Sequence, residues 1–272
     1  MMKSIAGCVT FMAVAAFFSW SCSTVAITGR KQLDLVPNST MLSTSFQEYD
    51  KFLKKHKLST NQEQTQMVKR VGIGIEKAVE DYFAQQGLSD ELKGYAWEFN
   101  LVESKEVNAW CMPGGKVVIY TGILPITKDE SGLATVMGHE IAHAVAKHGN
   151  ERMSQALVTQ MGGTALSVAL QKNPAQTREL WMKAFGVGAE VGVLLPYSRL
   201  QESEADRLGL IFMAMAGYNP NSAVAFWQRM AKEKGGQAPP ELLSTHPSDE
   251  TRISKIKEFL PEAMQYYKTP RS

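Results

Sequence analysis

The sequence predicts a mostly helical α+β domain with a small sheet beside one unusually apolar helix. Three observations predict it. Apolar residues recur at helical spacing along most of the chain, as at Met67, Val71, Ile75, Val79 and Phe83. Two short stretches, 95–102 and 116–120, read as strands: the first alternates, and the second is the apolar run Val117, Val118 and Ile119 entered through Pro113-Gly114-Gly115. The third is the segment after Ser131, where Leu133, Val136, Met137, Ile141, Ala144 and Val145 surround two histidines and a glutamate.

Composition sets the outer bounds. The 272 residues are 44% hydrophobic and carry 29 basic against 27 acidic side chains, a net +2. That is an ordinary globular balance, long enough for one large domain or two small ones. Without a basic run or an aromatic-interleaved basic patch, nucleic acid is not an expected partner.

In order along the chain, Lys3 and the apolar run Ile5 to Trp20 form a signal segment that is too short to span a bilayer, which takes about 20 apolar residues. Cys22 follows small residues and resembles a bacterial lipoprotein cleavage site. Residues 1–21 are therefore expected to be a lipoprotein-type signal peptide, with Cys22 lipidated and the chain held at a membrane by that anchor. Cleavage removes Cys8 and leaves Cys111 without a disulfide partner. Residues 22–38 read as an extended tether, 39–261 as the folded domain, and 262–272, past Pro261, as a frayed tail.

Within the domain, helices are expected at 41–56 and 62–86, with Gly87 stopping the second. Ser131 is a plausible N-cap for a helix running to about His148, with Gly149 beyond it. Further helices are expected at 151–170, 176–195, 198–216, 221–232 and 248–260, with a linker at 235–240. The apolar 165–196 region reads as core helix or as a cover over a site.

His139-Glu140-Ile141-Ala142-His143 is the HExxH pattern. Positions i and i+4 share a helix face, so two imidazoles there reach one Zn²⁺. Glu140 projects beside them, placed to take a proton from water without ligating the metal. Two histidines and a glutamate are costly in an apolar helix unless they have a use. His148, five residues past His143, falls on a different face and reads as a helix-end residue meeting the negative dipole.

A catalytic zinc takes a third protein ligand. Glu202 and Asp206 are i, i+4, so one carboxylate can ligate while the other accepts the free N–H of a ligand histidine. Glu204 is about 200° from Glu202 and cannot share that role. Spacing alone leaves this reading level with an exposed acidic face.

Several segments in order resemble one family. They are Cys22-Ser23-Thr24, Thr28-Gly29-Arg30-Lys31-Gln32-Leu33, Asn108-Ala109-Trp110 with Pro113-Gly114-Gly115, Tyr120-Thr121-Gly122, Gly138 to His143, Ser198-Arg199 with Glu202 to Asp206, Thr245-His246-Pro247 and Arg252-Ile253. Together they resemble the gluzincin zinc peptidases of the HtpX, BepA and LoiP kind, related to the Oma-type and CAAX-prenyl proteases. The resemblance implies a zincin-like fold, one Zn²⁺ per chain held by His139, His143 and Glu202, and Asp206 as their companion. It places His246 and Arg252 near the site, with His246 the expected oxyanion donor. The strand at 116–120 is expected to run along the cleft, where an extended substrate adds to its edge. Asn108, Gly115, Val117, Val118 and Arg252 are then the expected substrate-binding residues. The implied activity is hydrolysis of unfolded or misassembled envelope polypeptides, with Glu140 as general base, at the periplasmic face of an outer membrane. The alternative is a zinc-bearing assembly factor that binds such proteins without cutting them. A C-terminal repeat domain and multiple membrane spans like those of some relatives are not expected here.

Overall fold

The computed structural model describes residues 22–161, 166–172, 174–185, 197–233, 241–246 and 250–267. The expected signal segment 1–21 lies outside them. The described chain opens with an antiparallel hairpin of β1 (Cys22–Thr24) and β2 (Lys31–Leu33), with Cys22 opposite Leu33. This differs from the expected tether: Val25 and Gln32 are buried against the domain. Gly29 supplies the left-handed φ of +74° that the turn requires, and its N–H donates to Val25 O at 2.8 Å. Three-residue strands carry too little alternation to be seen in a sequence.

Two amphipathic helices follow, α1 (Asn38–Lys55) and α2 (Gln62–Gln85). Asn61 caps the second, its Oδ1 accepting from Gln64 N–H at 3.0 Å. Then come β3 (Glu98–Val102), β4 (Ala109–Met112) and β5 (Lys116–Tyr120) in the order β3–β5–β4. β5 is parallel to β3 and antiparallel to β4. It is therefore the central strand and has no edge to offer, contrary to expectation. β4 is an outer strand of this sheet: its other side pairs with no strand among the described residues, and its four residues are buried.

The sheet separates two cores by simple alternation. Phe99, Ala109, Cys111, Val117 and Ile119 belong to one, with α2 and with Leu133, Ile141, Leu208 and Trp227 of later helices. Trp110, Met112, Val118 and Tyr120 belong to the other, with Met41, Tyr49 and Phe52 of α1.

The remaining helices are α3 (Leu124–Thr127), α4 (Glu130–Val145), α5 (His148–Met161), α6 (Leu166–Lys172), α7 (Pro174–Phe185), α8 (Arg199–Met215), α9 (Ser222–Lys232), α10 (Glu241–Thr245) and α11 (Glu250–Met264). α7 is core on its described face, with Trp181 and Phe185 buried beside Trp110; residues 186–196 of the suggested cover lie outside the described residues. α11 runs through Pro261 rather than fraying there. Buried Ala263 and the Arg207–Glu262 pair hold its last turn in place.

Two local details position the site. Asp129, not Ser131, caps α4, because its Oδ1 reaches Gly132 N–H at 2.8 Å. The helix then ends at Val145, and Lys147 turns the chain with a φ of +60°. α4 also crosses α8 where Gly138 meets Gly209. A Cβ at Gly138 would lie 2.8 Å from Gly209 O, and one at Gly209 would lie 2.8 Å from His139 N. Only glycine allows these backbones so close, and the contact brings α8 carboxylates over α4 imidazoles. Among the described residues, no helix is long and apolar enough to cross a membrane.

Candidate metal centre

His139 and His143 project from one face of α4, each 2% exposed, with Nε2 atoms 3.0 Å apart. Glu202, in the first turn of α8, approaches both. Its Oε1 is 3.3 Å from His143 Nε2 and its Oε2 is 3.5 Å from His139 Nε2. α8 starts where it does because Ser198 and Gln201 form a reciprocal capping box. His246, just past α10, adds Nδ1 at 3.1 Å from His139 Nε2 and 2.8 Å from Glu202 Oε1.

One donor atom from each of these four buried residues lies within 4.8 Å of the others. Ligands at about 2.0–2.1 Å from a tetrahedral ion sit about 3.3–3.4 Å from one another, so the spacing fits a single zinc-sized ion. Glu140 Oε1 is buried beside them with no hydrogen-bond partner, 3.5 Å from His246 Nε2. Beside the donor cluster, this oxygen is free to accept a hydrogen bond from a molecule the site takes up.

The electrostatics agree. Burial pushes the Glu202 carboxyl up, but His246, Arg252 and His139 outweigh it and hold its pKa well below the usual range. Glu140 goes the other way: burial raises it, and His246 and His139 offset that only in part. Burial opposes a charge on His139, yet Glu202, and then Asp206 against the pull of Arg252, raise its pKa to about 9. The pocket's carboxylates call for positive charge at its centre.

Each α4 histidine has support behind it. Asp206, one turn past Glu202, sets Oδ1 3.0 Å from His139 Nδ1. Arg252 of α11 donates to both Asp206 oxygens, at 2.8 and 2.7 Å. Its Nη1 lies 2.7 Å from Glu202 Oε2, as an ion pair rather than an aligned hydrogen bond, and its Cζ lies 3.6 Å over the Trp227 ring. On the other side, His143 Nδ1 is 2.8 Å from His148 Nδ1, and His148 Nε2 is 2.9 Å from Glu204 Oε2. The Tyr197 ring lies on that of His143, centroids 3.9 Å apart, and Arg152 Cζ is 3.7 Å from the Tyr197 ring centroid.

The structure thus gathers His139, Glu140, His143, Glu202, Asp206, His246 and Arg252. It separates the expected substrate residues. Val117 and Val118 are central-strand residues facing opposite cores, which removes both from a cleft. Gly115 sits in the β4–β5 turn against Trp97. Arg252 is committed to Asp206 and Glu202. Asn108, at the start of β4, is buried with Nδ2 unpartnered. His148, Glu204 and Tyr197 escape sequence reasoning. His148 would point away in a continuous helix, and only the turn at Lys147 returns it to His143.

A small mixed sheet beside a buried helix with two histidines, answered by a carboxylate from a second helix, defines a zincin-like metallopeptidase domain. The chain belongs to peptidase family M48, whose model matches residues 74–260. It is 38% identical over 191 residues to the mitochondrial metalloendopeptidase OMA1 of Schizosaccharomyces pombe, covering 70% of this chain and 53% of that one. It is 30% identical over 249 residues to the human mitochondrial metalloendopeptidase OMA1, covering 88% and 46%. It is 33% identical over 175 residues to a putative beta-barrel assembly-enhancing protease of Vibrio cholerae, covering 62% and 35%. The chain spans about half the length of the OMA1 relatives it matches. The OMA1 relatives of yeasts, a plant and mammals are mitochondrial by name. That overturns the expected lipid-anchored location at an outer membrane.

Proposed function

We propose that this chain is a zinc-dependent metalloendopeptidase with Glu140 as general base. The convergence of His139, His143 and Glu202 beside the unpartnered Glu140 Oε1 carries the reading. A zinc ion held there supplies Lewis acidity to the scissile carbonyl and to the attacking water. Glu140 Oε1 takes the proton from that water and returns it to the leaving nitrogen. Burial raises the Glu140 pKa, which suits a group that must hold a proton between two steps. Asp206 accepts the Nδ1 proton of His139 and so keeps Nε2 free to ligate.

The substrate is an extended polypeptide that adds to the outer edge of β4, the strand packed beside α4. Main-chain recognition favours unfolded segments over compact proteins. The non-cleaving assembly-factor alternative is not favoured, since a base beside a full ligand set has no use in binding alone. The full chain is expected to cleave casein, to stop with excess chelator, and to recover on adding zinc. Glu140→Gln keeps stoichiometric zinc and slows cleavage about 10²–10⁴-fold. Casein cleavage by that variant at the wild-type rate would falsify the general-base role.

His246 completes a set of four protein donors, the pattern of a closed site. We read this arrangement as a resting form in which His246 must withdraw before a substrate carbonyl can enter, in place of the oxyanion role expected from its surroundings. His246→Ala should then bind zinc more weakly yet cleave faster at saturating metal. Slower cleavage under the same conditions restores the oxyanion role.

A further inference from the structure

His143 is backed by a chain of contacts that ends in the N-terminal hairpin, and its hydrogen bonds run in one direction. His143 Nε2 faces His139 and Glu202, so Nδ1 is the nitrogen left for His148. A neutral His143 with a lone pair on Nε2 carries its proton on Nδ1. That proton needs a lone pair on His148 Nδ1, which puts the His148 proton on Nε2, facing Glu204 Oε2 at 2.9 Å. One tautomer of each histidine satisfies every partner.

Glu204 lies across α8 from Glu202 and does not join the donor cluster. Its carboxylate is fixed by the hairpin instead. The Thr28 hydroxyl donates to Oε1, and Arg30 Nε donates to Oε2 at 2.6 Å. The far end of Arg30 donates to both oxygens of Glu151 on α5, at 3.1 and 2.9 Å. Glu151 also accepts from Gln201 Nε2 at 2.7 Å. These are not surface pairs: the Glu204 side chain is 6% exposed, that of Arg30 16% and that of His148 0%. The family match begins at residue 74, so Thr28 and Arg30 lie outside it.

We propose that His148 and Glu204 are positioning residues for His143, locked by Thr28 and Arg30, so that the N-terminal hairpin sets the metal affinity of the site. The proposal rests on the reading of His139, His143 and Glu202 as zinc ligands. Its bland rival is that the same contacts merely fasten the hairpin to the domain. A fastening role lowers the melting temperature of the metal-free protein and leaves metal binding alone. A positioning role changes the binding itself.

The test uses the full chain and zinc alone, with the dissociation constant read by competition with a chromophoric chelator. The visible spectrum of the cobalt form reports ligand geometry. Glu204→Gln and Arg30→Gln are each expected to weaken zinc binding about tenfold and to shift the cobalt bands. Because both act along one path, the double variant should bind no more than about twofold weaker than the worse single. Should Arg30→Gln lose its cooperative melt, Glu204→Gln, which keeps the side chain's shape, decides alone. Folded variants with wild-type zinc affinity and an unchanged cobalt spectrum overturn the proposal, whatever their melting temperatures. A wild-type protein that binds no zinc fails earlier, and brings down the metallopeptidase reading itself.

Discussion

His139 and His143 stand one turn apart on the same helix, yet they are steadied from opposite directions and at different range. Behind His139 the support is direct: the Asp206 carboxylate touches its Nδ1, and Arg252 grips that carboxylate with two donors. Behind His143 the support is relayed through a second imidazole to Glu204, and from there to a hairpin near the start of the described chain. α8 feeds both. Its residues at i and i+4, Glu202 and Asp206, face α4, while Glu204 at i+2 serves the opposite side. One acidic stretch thus reaches both histidines because the chain leaves α4 at Lys147 and brings His148 back underneath.

The comparison predicts unequal losses. Asp206→Asn removes a carboxylate in direct contact with a ligand histidine and leaves Arg252 with only part of its charge balance. Its zinc affinity should fall toward the upper end of the usual range for such partners, about 100-fold. That exceeds the roughly tenfold expected when Glu204, one imidazole further away, becomes glutamine. Chelator competition on the two variants side by side ranks them. An Asp206→Asn loss smaller than the Glu204→Gln loss would mean that the relayed support carries more of the orientation than the direct one.

How much of this was legible in the residues divides along the same line. The His139 side follows from local periodicity. HExxH and the i, i+4 pair on a Ser198-capped helix are patterns within one element each, and helix geometry places them. The His143 side depends on departures from periodicity. Nothing in Ala146-Lys147 announces a left-handed lysine, so a helix extended to His148 turns that residue the wrong way. β1 and β2 are three residues each, too short for alternation to register, and their Arg30 finds partners only in three dimensions. Strand order fails for a related reason. The run at 116–120 reads correctly as a strand, but whether it lies at the edge or the centre depends on pairing with β3 and β4, which no local pattern encodes. The Gly138–Gly209 crossing is similarly silent, because two glycines far apart in sequence matter only through each other.

The smallest expected effect separates positioning from general support of α8. Arg207 follows Asp206 directly but turns outward, donating to both Glu262 oxygens at 2.7 and 2.6 Å from a side chain that is 40% exposed. A solvent-exposed pair of this kind is screened and worth about 0.2–1 kcal/mol, or about 2–4 °C of melting temperature at most for a chain of this size. Arg207→Ala removes the pair without touching either histidine. Zinc affinity is expected to stay within about twofold of wild type, since the partners that move metal affinity are those bonded to the ligands themselves. A tenfold drop in Arg207→Ala would show that loosening α8 anywhere disturbs the donor cluster. The losses in the Asp206 and Glu204 variants would then measure the stiffness of one helix, and the distinction between direct and relayed support would dissolve.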